Sequence, residues 1–129
     1  MTRMKWVEIE IVITIHDRQI SRHGGASGLR DLGLLESALN RPQNLAHYGK
    51  PRVFELAANY AHGIAKAHAF VDGNKRTAFV TALTFLLVNG YEFRPNAVEG
   101  AKMMEDLASD QVDEAAFAMW LESGAEVLK

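Results

Sequence analysis

The chain has 129 residues and a mass of 14.3 kDa, room for one domain over residues 1–129 built on one core. It is 48% hydrophobic and 23% charged with no cysteine, which excludes a disordered chain, a fibrous repeat, a disulfide framework and a thiolate zinc site. The net charge of −2 is uneven, with 12 Lys and Arg against 8 Asp and Glu in residues 1–98 and 2 against 8 in residues 99–129, so no direct nucleic-acid binding is expected, while the basic part suits a small polyanion such as a nucleotide.

Acids interrupt the apolar N-terminal stretch MTRMKWVEIEIVITIHD, and no small-residue cleavage site follows, so it does not read as a signal peptide. Residues 6–20 fit two patterns. Glu8-Ile9-Glu10-Ile11 alternates like a strand, whereas Ile9, Val12, Ile13, His16 and Ile20 share one helical face, and the helical reading is preferred. Residues 31–40 form a helix with Asp31 as its cap and Pro42 as its stop. Asn44 to Arg52 reads as a polar loop. Residues 53–67 and 75–89 are strong helices, and the second, apolar nearly all round, is expected to be the central one. Tyr91–Phe93 is a short extended piece, and two further helices fit 97–108 and 112–127. The sum is an all-α bundle of about six helices. The longest uncharged run, Thr77 to Tyr91, is too short to span a bilayer, so a soluble cytoplasmic protein is expected.

The chemistry concentrates in HAFVDGNKRT, residues 68–77, between the two strongest helices. Gly73 permits a tight turn. The free N–H groups that open the next helix attract anions, aided by the helix dipole. Lys75 and Arg76 oppose that dipole, which makes sense if a bound anion offsets them. Phosphate suits Arg76, whose guanidinium grips it with two parallel bonds. Asp72 is placed to hold Mg²⁺ on phosphate oxygens, and His68 to take a proton from an attacking hydroxyl. Phe70 reads as a core anchor for the loop.

This segment resembles the signature of the Fic/Doc superfamily. The Fic pattern is His, any residue, Phe, any residue, Asp or Glu, Gly, Asn, Gly, Arg. His68, Phe70, Asp72, Gly73, Asn74 and Arg76 match it. Lys75 replaces the second glycine, as in the Doc, or death-on-curing, branch. IHDRQISRHGG (15–25), GLRDLGLLESALNRPQN (28–44) and YAHGIAKAHAF (60–70) also resemble Doc proteins. The resemblance implies a compact bundle with the signature loop between its two central helices, and ATP with Mg²⁺ as ligands. It implies a kinase that modifies a threonine of elongation factor Tu and stops translation. In Fic enzymes an AMP group passes to a hydroxyl instead. A lysine in the anion nest would crowd an α-phosphate, which favours phosphoryl over nucleotidyl transfer.

Carried over by position, His68 is the base and Asp72 the Mg²⁺ ligand. Gly73 and Asn74 hold phosphate, and Lys75 and Arg76 neutralise charge on the transferred group. Doc proteins can carry an arginine two residues before the histidine. Here that nucleotide-binding position is Lys66, which keeps the charge without the bidentate geometry. His16 is a weaker candidate for the floor of the site. Arg22, Arg30, Arg52 and Tyr48 are possible nucleotide or substrate contacts, and Met103, Met104 and Met119 read as core. No Ser or Thr stands four positions before a Glu that is followed by Gly or Asn, the pattern of a built-in inhibitory helix. Restraint is therefore expected in trans, from an antitoxin whose disordered tail folds on binding. The competing readings are an adenylyltransferase and a non-catalytic binding module on the same fold.

Overall fold

The computed structural model describes residues 3–128 and shows six helices and one two-stranded pairing. In order these are α1 (Ile9–His23), α2 (Leu32–Tyr48), α3 (Val53–Ala67), α4 (Asn74–Val88), β1 (Tyr91–Glu92), α5 (Ala97–Ala108), α6 (Glu114–Gly124) and β2 (Glu126–Val127). The fold is all-α, as the periodicities require. The helical reading of residues 6–20 holds from Ile9, with Val12, Ile15 and His16 buried.

The central helix is α3, not α4. Eleven of its 15 residues are buried, against six of 15 in α4. Small side chains explain this: Ala57, Ala58, Ala61, Gly63 and Ala65 let α2, α4, α5 and α6 all pack against it. Helix α4 opens on polar residues and leaves Leu87 and Val88 exposed at its far end.

Pro42 does not end α2, which continues to Tyr48, so residues 44–48 are helical and the loop shrinks to 49–52. Proline removes the bond that the Ala38 carbonyl would accept, at a cost of about 3 kcal/mol. Packing outweighs this. Pro42 is buried, and Ala46 beyond it packs against the core. Opposite, a Cβ on Gly63 would lie 3.4 Å from the Ala38 carbonyl oxygen, so α2 and α3 approach closely here.

The C-terminal expectation also needs correction. Helix α6 stops at Gly124, and β2 pairs antiparallel with β1, Tyr91 opposite Val127 and Glu92 opposite Glu126. The Phe93 ring lies against this helix end, where a Cβ on Gly124 would sit 2.3 Å from its Cε1. Among the methionines, Met104 is core and Met103 half-buried, but Met119 is 70% exposed on the outer face of α6. No helix among the described residues is long and apolar enough to cross a membrane.

Candidate active site

The signature loop starts with an abrupt turn. Helix α3 ends at Ala67, and His68 takes a left-handed conformation, φ 48° and ψ 42°. That conformation is costly for a residue with a Cβ. It lifts the His68 side chain off the helix axis and leaves it exposed. The loop ends at Gly73, also left-handed (φ 74°), which opens α4 without any side-chain cap. The N–H groups of Asn74, Lys75 and Arg76 therefore stand in an uncapped first turn.

Between these turns the loop is fastened at every residue. The Asn74 side chain grips Phe70 twice: Oδ1 accepts from the Phe70 N–H and Nδ2 donates to its carbonyl, both at 3.0 Å. The Phe70 ring is buried and stacks on the buried His16 imidazole at 3.8 Å and 9°. His16 Nε2 donates to the Asp72 carbonyl at 2.7 Å, and since that oxygen only accepts, the proton is on Nε2. His16 thus lies beneath the loop and supports it.

The exposed strap 24–31, which joins α1 to α2, holds the loop from outside. Leu29 bridges Phe70, Val71 N–H donates to Gly28 O, and the N–H groups of Arg30 and Asp31 donate to Ala69 O. Asp31 also caps α2, accepting from Leu34 N at 3.0 Å. Arg30 Nε donates to His68 O at 3.1 Å, and its Nη2 donates to the same oxygen. Arg76 Nη2 donates to Gly24 O at 3.0 Å.

Asp72 accepts from Gly73 N–H at 2.8 Å and from Ala26 N–H at 3.2 Å. These two bonds, then the nearby Arg76 charge, hold its carboxyl below the usual carboxylate range. It is ionised at neutral pH. No group of three or more His, Asp or Glu side chains gathers as a metal cage among the described residues. A lone exposed carboxylate fits Mg²⁺, which takes one or two protein oxygens and draws the rest from phosphates and water.

Loop and α4 start form one wall of a cleft of about 1020 Å³, lined by His68, Asp72, Gly73, Asn74, Lys75 and Arg76. The opposite wall is α5, where Ala97, Gly100 and Ala101 leave room and Glu105 projects. Cavities of this size hold nucleotide-sized ligands. Lys75 Nζ pairs across the cleft with Glu105 Oε1 at 2.6 Å. A second hollow of about 410 Å³ lies beside it, lined by Arg30 and Phe70 and sharing His68, Val71 and Asn74 with the cleft.

Most signature candidates therefore converge. Lys66 does not, for it lies outside the cleft lining and pairs with Asp110 Oδ2 at 2.8 Å, keeping the Asp110 carboxyl below its ordinary range. Arg52 sits at the opposite end of α3, about 22 Å of helix away, bonded by both Nη atoms to Glu122. Tyr48 and Arg22 line neither cavity. Glu105 and the small residues of α5 escaped sequence reasoning, because an acid on an amphipathic helix reads as a solvated face.

The Fic/DOC family pattern matches residues 6–86, from the start of α1 to near the end of α4. The chain is 40% identical over 90 residues to "Protein kinase doc" of Escherichia phage P1, covering 69% of this chain and 71% of that protein. It is 42% identical over 96 residues to "Toxin Doc" of Mycolicibacterium smegmatis, covering 72% of this chain and 68% of that one. The matched span holds the signature loop, the strap and the helices that carry them, and on these grounds the chain belongs to the Fic/DOC family, in its Doc branch.

Proposed function

We propose that this protein is the toxin of a toxin–antitoxin pair and acts as an ATP-dependent protein Ser/Thr kinase. Its target is a translation factor of the elongation factor Tu type, and its antitoxin restrains it through a tail that folds on binding. One observation carries the catalytic reading: a single cleft joins an exposed imidazole to an uncapped cationic helix start. The relatives named as a kinase and a toxin support it.

In this reading His68 takes the proton from the target hydroxyl. The hydroxyl oxygen bonds to the γ-phosphorus as the bond to the β,γ-bridging oxygen breaks, and ADP leaves. The imidazolium then returns its proton to water. The first-turn N–H groups receive phosphate oxygens, while Lys75 and Arg76 neutralise charge on the transferred group. A Mg²⁺ held by Asp72 would supply further charge neutralisation on the phosphates. Lys75 must exchange Glu105 for phosphate. Both partners are about half exposed, so that pair is worth at most about 1 kcal/mol and yields readily.

AMP transfer is the second reading. The Lys75–Glu105 pair draws the lysine towards α5, which leaves the first-turn N–H groups open to an α-phosphate as well. Paired labelling decides between them. The protein and its His68→Ala form are incubated with Mg²⁺ and bacterial lysate, with ATP labelled at the γ- or the α-phosphate. A band of elongation-factor size labelled only from the γ-position, and lost in the variant, is the expected result. Label only from the α-position would establish AMP transfer, and a variant equal to wild type would remove His68 from the chemistry.

A further inference from the structure

We propose that Arg30 is a positioning residue for the reaction: by clamping the His68 carbonyl it holds the imidazole at the mouth of the cleft. The inference rests on the reading of His68 as base. His68 occupies a backbone conformation that an L-residue resists, so something must hold it there. Glycine would adopt it freely but would bring no imidazole.

The guanidinium supplies the restraint. Its Nε and Nη2 both donate to one oxygen, that of His68, which fixes the plane of the peptide following His68. That plane defines ψ of His68, and since an L-residue holds positive φ only within the small left-handed region, losing that ψ returns φ to negative values and swings the Cα–Cβ bond. The cation also sits at the C-terminal end of α3, where the helix dipole favours it.

Docking of the strap does not need this side chain. Three backbone bonds, Arg30 N–H and Asp31 N–H to Ala69 O and Val71 N–H to Gly28 O, already join strap to loop. Arg30 is exposed, so it fills no place in the core. It lines the smaller hollow and not the cleft, so its loss takes nothing from the nucleotide's surroundings. Its particular contribution is to the His68 peptide. Lysine could offer one donor in place of a two-pronged grip.

The test joins a structural readout to a kinetic one. Wild type, Arg30→Ala and Arg30→Lys are made by cell-free synthesis. The scalar coupling between the amide and α protons of His68 reports its φ by NMR, and phosphorylation of purified elongation factor Tu is followed with γ-labelled ATP. In Arg30→Ala the His68 coupling should move away from its left-handed value while amide signals elsewhere and Tm stay near wild type. Its kcat should fall about a hundredfold with KM for ATP unchanged, as expected for a misplaced reacting group. Arg30→Lys should fall between, and it carries the test if the alanine form does not fold. An unchanged His68 coupling would overturn the proposal. So would a raised KM for ATP with kcat intact, which would make Arg30 a nucleotide contact. If the wild type labels nothing, the kinase reading fails, and the coupling alone still decides whether Arg30 holds His68.

Discussion

Two residues outside the signature, Gly25 and Glu105, bear on the charges of the cleft. Gly25 has φ +117°, and a Cβ there would come within 2.6 Å of Asp72 Oδ2. Gly25→Ala should therefore displace the Asp72 carboxylate and raise the Mg²⁺ concentration needed for half-maximal labelling, measured by Mg²⁺ titration. Glu105 acts in the other direction, since it occupies Lys75 and places a like charge beside incoming phosphate. Glu105→Gln should lower KM for ATP about two- to fivefold, the scale of an exposed ion pair. The signature residues are legible in the sequence because their spacing is local. Glu105 is not, as it meets Lys75 from 30 residues away. Arg30 is visible only as an arginine, since its partner is a backbone oxygen 38 residues on. Asn74 has a physical role that the sequence hides, as a clamp on Phe70.

Elements were readable where one face is strongly apolar and the ends are marked. Helix α3 follows its predicted 53–67 span and α5 its predicted 97–108. The misreadings fall where tertiary contacts override a local signal. Pro42 is a stop in isolation, yet it is tolerated against α3. Residues 125–127 look like a helical continuation, yet Glu126 and Val127 pair with β1 while the Phe93 ring closes on Gly124 at the helix end. That closure gives a prediction. Gly124→Ala should destabilise the fold by about 1–3 kcal/mol through overpacking. Thermal unfolding should show Tm lowered by several degrees, and the β1–β2 amides should exchange faster.

Across the whole molecule, stability should decline at both ends of the pH scale. The Arg52 hydrogen bond and charge lower Glu122, the Gly73 and Ala26 N–H groups lower Asp72, and Lys66 lowers Asp110. A depressed carboxyl contributes stability above its unfolded pKa and loses it as pH falls through the folded value. The loss should therefore begin below the ordinary values of 4.5 for Glu122 and 3.8 for the two aspartates. Tyr60 acts oppositely. It is buried, its oxygen accepts from Val7 N–H, and burial pushes it up to about 12. Its contribution is complete below the ordinary value of 10 and lost as pH rises towards 12. Denaturant titrations across pH should show a plateau that falls on either side, and Tyr60→Phe should flatten the alkaline fall.

The strand pairing at the end of the chain bears on how the protein can be handled. Leu128 N–H donates to Gly90 O, so the described chain finishes beside the C-terminal end of α4. The cleft opens at the N-terminal end of the same helix, about 22 Å away. A purification tag or fluorescent reporter joined beyond Leu128 leaves the described residues on the side remote from His68. Such a fusion can report on the protein in living cells without its cargo crowding the mouth of the cleft.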